Sequence, residues 1–155
     1  MEINKSQLGW DEYFIGMCYH VQKKSKDPST KVGCVIVGPD NGIRGTGFNG
    51  FPMGVEDLPE RYSNRELKYK FVSHSELNAI CLAAKWGIEL NGCKIYVPWL
   101  PCSGCAKAII QSGIKEVILD KNYKIDPELA KRWADEHEAA SIMFQEAGVV
   151  VRNSF

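Results

Sequence analysis

His74, Glu76, Cys102 and Cys105 are the side chains of this 155-residue sequence whose types and spacing could do chemistry together. They stand in two short runs, His74-Ser75-Glu76 and Pro101-Cys102-Ser103-Gly104-Cys105. Taken alone, the Cys-x-x-Cys step fits a redox pair, half a zinc ribbon, or no site at all. No second Cys-x-x-Cys occurs, which disfavours a ribbon, and a redox pair has no use for His-x-Glu. Combined, Cys102, Cys105 and His74 make a Cys₂His zinc set with one coordination position left open. Two thiolates neutralise Zn²⁺, and a water in the open position would have its pKa drawn toward neutrality. Glu76, two residues from His74, is spaced to face that position without binding the metal and to carry the water's proton. A purely structural zinc is the competing reading, and it leaves Glu76 without a purpose. One zinc per chain is expected. The spare Cys18, Cys34, Cys81 and Cys93 are scattered, and His20 and His137 read as ordinary core or surface histidines.

Three ligands separated by some 30 residues must be gathered by secondary structure. Apolar residues at helical intervals (Leu8, Tyr13 and Phe14, Met17 and Cys18, Val21) predict a first helix over 8–24. The β-branched run 31–37 predicts a buried strand, turned by Asp40-Asn41-Gly42 into an antiparallel strand over 43–49. Residues 50–65, with Pro52, Gly54 and Pro59, read as a long loop. Helices follow over 75–86 and 103–112, closed by Gly87 and Gly113, with strands at 94–97 and 115–119. Asp126-Pro127 is an N-cap with Pro at the first helical position, opening a long helix that runs to Gly148 before a last strand over 149–151. The fold class expected is α/β: a three-layer α/β/α sandwich on a mixed five-stranded sheet, as one domain over 1–155. In such a sheet helix N-termini collect at one end of the parallel strands. His74 opens one helix and the two cysteines open the next, so the set converges there.

Composition narrows the partners. Apolar residues make up 45% and charged residues 25%, an ordinary globular balance. Nineteen Lys+Arg against nineteen Asp+Glu leave no net charge, which disfavours a nucleic-acid polymer as partner. The leading residues lack a signal-peptide pattern and no window approaches a membrane span, so a cytoplasmic protein with no membrane partner is expected.

The pattern H-x-E…P-C-x-x-C is the known signature of the zinc nucleobase deaminases. The flanking blocks SKDPSTKVGCVIV (25–37), GTGFNGFPMGVED (45–57), HSELNAI (74–80) and PCSGCAKAIIQSGIKEVI (101–118) go further. In these the sequence resembles the deoxycytidylate (dCMP) deaminases of the zinc-dependent cytidine/deoxycytidylate deaminase family. The resemblance covers nearly the whole chain, and GFNGFPMG is its most specific part. It implies a cytidine deaminase-like fold and hydrolysis of dCMP to dUMP, which supplies thymidylate synthesis. It also implies a homohexamer activated by dCTP and inhibited by dTTP.

By the same resemblance His74, Cys102 and Cys105 hold zinc and Glu76 moves protons. Asn49 contacts the sugar, Ser25 and Lys26 lie near the substrate phosphate, and Tyr123 closes over the nucleotide with Lys124 beside it. A lower-ranked effector site falls on Gly50, Met53, Gly54, Glu56 and Lys85, where a triphosphate could bring Mg²⁺. Ser75 departs from the Ala commonest between His and Glu. The alternatives are a deaminase of another small cytosine nucleotide or nucleoside, and a non-catalytic zinc-binding module on the same fold.

Overall fold

Successive side chains along a strand point to opposite faces of the sheet, and that alternation divides the molecule into layers. The computed structural model describes residues 7–155; the segment before them, which entered the expectation of no export signal, lies outside the described residues. Strand β1 (Gly33–Val37) is wholly buried. Its Val35 and Val37 pack with Phe14, Ile15 and Cys18 of helix α1 (Trp10–Val21) on one face of the sheet. Its Cys34 and Ile36 face the other way, into the larger core. There they meet Ala79 and Ala83 of α4 (Ser75–Trp86), Ala106 and Ile109 of α5 (Ser103–Gln111), and Ala140 and Phe144 of α6 (Pro127–Glu146). A strand covered on both faces needs apolar residues at every position, which is why 33–37 reads as an unbroken run.

The five-stranded sheet runs in the order β2-β1-β3-β4-β5, with β2 at Ile43–Phe48, β3 at Lys94–Val97, β4 at Glu116–Leu119 and β5 at Val150–Asn153. β1 is antiparallel to both β2 and β3, while β3, β4 and β5 are mutually parallel. The mixed sheet expected from the sequence is therefore present, with α1 on one face and α4, α5 and α6 on the other. Asn41, at φ 61°, takes the left-handed position that the β1–β2 turn demands.

The segment 50–65 departs from its expected loop. Its end is helical: α2 spans Pro59–Ser63 and α3 spans Arg65–Phe71. Pro59 starts α2 at a position where its missing N–H costs nothing, and the Asn64 side chain caps α3 by accepting from the Leu67 N–H at 3.0 Å. These are ordinary start signals obscured by the prolines and glycines before them. A short antiparallel bridge between Gly50 and Ser73 then fixes where the chain enters α4.

α4 lies unusually close to β2. A Cβ on Gly47 would collide with the Ser75 carbonyl, so only glycine lets the first turn of α4 settle onto the sheet. This contact sets the height of His74 and Glu76 above the strand ends. Among the described residues no helix is long and apolar enough to cross a membrane.

Candidate active site

Each reactive side chain sits at the start of a helix. His74 is the N-cap of α4 and Cys102 the N-cap of α5, and Glu76 and Cys105 lie in the first turns. The His74 Nδ1 stands 3.3 Å from the Cys102 Sγ and 3.6 Å from the Cys105 Sγ. Their ligand atoms all lie within 4.8 Å of one another. Zinc bonds of about 2.0 Å to nitrogen and 2.3 Å to sulfur, spread tetrahedrally, require separations of about 3.5 to 3.8 Å. The triad therefore fits a single zinc ion. Among the described residues it is the one group of three His, Cys, Asp or Glu gathered this closely.

The electrostatics are those of a ligand set. The Cys105 thiol, donating to Cys102, pulls the Cys102 thiol down to about 4 against its burial, and His74 adds to the effect. Cys105 is correspondingly pushed up by its bond to Cys102 and by burial. His74 is raised chiefly by Cys102. A thiolate is thus already favoured at the N-terminus of α5, where the helix dipole helps to hold it.

Glu76 is only 3% exposed. Burial raises its pKa, opposed by the nearby His74 and by the Ser75 hydroxyl, which donates to the Glu76 Oε2 at 2.8 Å. Ser75 is fully buried, so the residue that departs from the usual Ala supplies Glu76 with a hydrogen bond. The sequence held no sign of that bond.

His74, Ser75, Glu76 and Cys102 line a pocket beside the N-terminal end of β1 and the C-terminal ends of β2 and β3. Asn49, Val32, Leu100 and Trp133 also line it, as do the cations Arg65, Lys68 and Arg132. The pocket joins His74, Glu76 and Cys102 to parts of α3 and α6 that the sequence did not single out.

The model for the cytidine and deoxycytidylate deaminase zinc-binding region matches residues 8–121. The human deoxycytidylate deaminase is 42% identical over 150 residues, covering 94% of this chain and 79% of that protein. The chain belongs to the cytidine and deoxycytidylate deaminase family. The mouse deoxycytidylate deaminase is 43% identical over the same shares. The dCMP deaminase of cyanophage S-TIM5, solved in complex with dCMP and dUMP, superposes with a TM-score of 0.68 at 25% identity, covering 92% of this chain and 95% of that one. The protein is thus a zinc-dependent deaminase of cytidine deaminase-like fold.

The remaining expected residues of the deaminase fare unevenly. Asn49 lines the pocket, but most of its amide is committed: Oδ1 accepts from the Val32 N–H and Nδ2 donates to the Thr30 carbonyl, each at 2.8 Å. One Nδ2 hydrogen is left for a ligand. Ser25 is buried and donates to the Asn49 carbonyl at 2.8 Å, so it supports Asn49 from behind. Lys26 does not line the pocket and pairs with Asp57 at 2.5 Å on the surface. Tyr123 packs edge-on against Trp99 and does not line the pocket, and neither does Lys124.

Other charged residues line the pocket. Lys68 and Asp27 form an ion pair at 3.1 Å, the two side chains only 11% and 3% exposed. The Arg65 and Arg132 guanidinium groups have no hydrogen-bond or ion-pair partner among the described residues. His137, read from sequence as an ordinary histidine in a polar stretch, lines the pocket, and burial lowers its pKa. Its spacing from Trp133, i to i+4 on one helix face, was the signal available. In the expected effector segment, the Lys85 Nζ lies 3.7 Å from the Met53 Sδ, which brings α4 and this segment together. Gly54 is at φ 85°, Gly50 is held in the bridge to Ser73, and Glu56 gives its carbonyl to Arg61. Asp57 is already engaged by Lys26 and Tyr62, which leaves Glu56 as the nearby carboxylate for a cation.

Proposed function

We propose that the enzyme hydrolyses dCMP to dUMP and ammonia, and that its 155 residues act as one deaminase unit. One observation carries the choice of a nucleotide: the pocket lined by His74, Glu76 and Cys102 is also lined by two arginines, Arg65 and Arg132, that have no side-chain partner among the described residues. Guanidinium groups suit a phosphate, which they bind through paired N–H donors. Kinship with the human and mouse deoxycytidylate deaminases supports the same reading.

His74, Cys102 and Cys105 would hold zinc, which supplies an acidified water and an electrophilic centre for the developing oxyanion. Glu76 accepts a proton from the attacking water and returns it to ring nitrogen 3 as carbon 4 becomes tetrahedral. It next carries the proton of the new hydroxyl to the amino group, the bond from carbon 4 to nitrogen breaks, and ammonia leaves. Glu76 suits both directions because burial raises its basicity while Ser75 and His74 keep the anion accessible. Val32, Leu100 and Trp133 would exclude water beside the base, and the second Nδ2 hydrogen of Asn49 is left to donate to the sugar.

A substrate comparison tests the proposal. The kcat/KM for dCMP is expected to exceed that for deoxycytidine by at least about a hundredfold, since each charged phosphate contact contributes roughly 1.5–3 kcal/mol. Replacing both Arg65 and Arg132 by Ala should remove most of that preference through KM and leave deoxycytidine turnover unchanged. Equal use of dCMP and deoxycytidine by the wild-type enzyme would contradict the reading.

The finer reading adds a cytoplasmic homohexamer that dCTP activates and dTTP inhibits. Six free cysteines suit a reducing compartment. Self-association is supported by the outer side of α4, where Leu82 and Trp86 are exposed, with Met53 against Lys85. The segment 50–57, opened by Gly50 and containing Gly54, gives a triphosphate backbone N–H groups to approach, and Glu56 could share its Mg²⁺. Sigmoidal rate curves that dCTP makes hyperbolic, in a protein that sediments as an oligomer, are the expected result. Hyperbolic curves unchanged by either nucleotide would reduce the segment to a cover over the pocket.

A further inference from the structure

The α5 N-terminus has to hold two cysteine sulfurs in place, yet its N-cap residue, Cys102, turns its sulfur to His74. The first N–H groups of a helix have no partner within the helix, so those of α5 must be satisfied from elsewhere. Glu136 of α6 does this for the first of them. Its Oε2 accepts from the Ser103 backbone N–H at 3.1 Å and from the Ser103 hydroxyl at 2.5 Å. Ser103 follows Cys102 directly, so the bond fixes the backbone on which the Cys102 sulfur is hung.

The same face of α6 grips the site at a second point. Trp133, one turn before Glu136, meets the His74 ring edge-on at 5.8 Å between centroids, and the His137 ring stacks on Trp133 at 6.5 Å. α6 therefore touches the surroundings of two ligands that come from two different helices. A carboxylate at a helix N-terminus is also on the favourable side of the helix dipole.

We propose that Glu136 is a positioning residue for the metal centre: by clamping Ser103 it holds Cys102 in its ligating position. This rests on the reading of His74, Cys102 and Cys105 as the zinc site. Groups that orient ligands from behind typically change metal affinity by ten- to a hundredfold when removed.

The test follows zinc transfer from the loaded protein to a colorimetric chelator. Glu136→Ala should release zinc about ten- to a hundredfold faster than wild type. Glu136→Gln keeps an acceptor oxygen of the same reach and should restore most of the retention. Ser103→Ala removes one of the two bonds, so it should accelerate release less, and it should add nothing in the Glu136→Ala background. The thermal midpoint of the metal-free protein should move little in each variant, because the clamp acts on the ligand and not on the core.

Release at the wild-type rate from Glu136→Ala would overturn the proposal. So would a Gln variant no better than Ala, or faster release matched by an equal loss of metal-free stability. Wild-type protein that takes up no zinc fails earlier, and it overturns the zinc site itself and not the role of Glu136 within it.

Discussion

Glu76→Gln is expected to lower kcat on dCMP at least about a hundredfold, the usual size of a general acid-base contribution. Gln has the same length and keeps an acceptor for the Ser75 hydroxyl, so the fold and the three ligands beside it should be untouched. What it loses is the ability to accept a proton. The loss should fall on kcat and not on KM, because proton transfer matters in the transition state and not in ground-state binding. Zinc content should stay at the wild-type value. A variant that keeps more than roughly a hundredth of wild-type turnover would remove Glu76 from its role as the essential proton carrier.

Metal removal should have an effect at least as large. One zinc per chain is expected, because among the described residues a single cluster brings three ligand atoms within reach of one ion. Stripping it should abolish turnover, and one equivalent of Zn²⁺ should restore it. Cys105→Ser should bind zinc weakly and stay inactive under the same titration, since a neutral hydroxyl is a poor replacement for a thiolate. Elemental analysis finding about two zincs per chain, or full activity with none, would contradict this account.

The centre of the site was legible because its chemistry is carried by rare residue types at helix starts. His74, Glu76, Cys102 and Cys105 needed only the alternation of strands and helices to be brought together, and that alternation is written in the β-branched runs at β1, β3 and β4. The rest of the pocket was not legible in the same way. Lys26 and Arg65 are both cations near loops, and the difference between them is tertiary: Asp57 captures Lys26 on the surface, while α3 carries Arg65 to the pocket. α3 itself was hidden because Pro59 and the glycines before it read as loop, although Asn64 is a standard cap. The roles of Trp133, Glu136 and His137 depend on how α6 lies across α5, and a stretch of alternating charge does not announce which face turns inward.

The most direct measurement is a crystal structure of zinc-loaded Glu76→Gln protein soaked with dCMP, since that variant should bind substrate without consuming it. Anomalous zinc density is expected between His74, Cys102 and Cys105, with cytosine carbon 4 toward the metal and the phosphate against Arg65 and Arg132. Zinc bound at other residues, or a nucleotide lying with its phosphate toward the cysteines and its base outside the pocket, would contradict that arrangement.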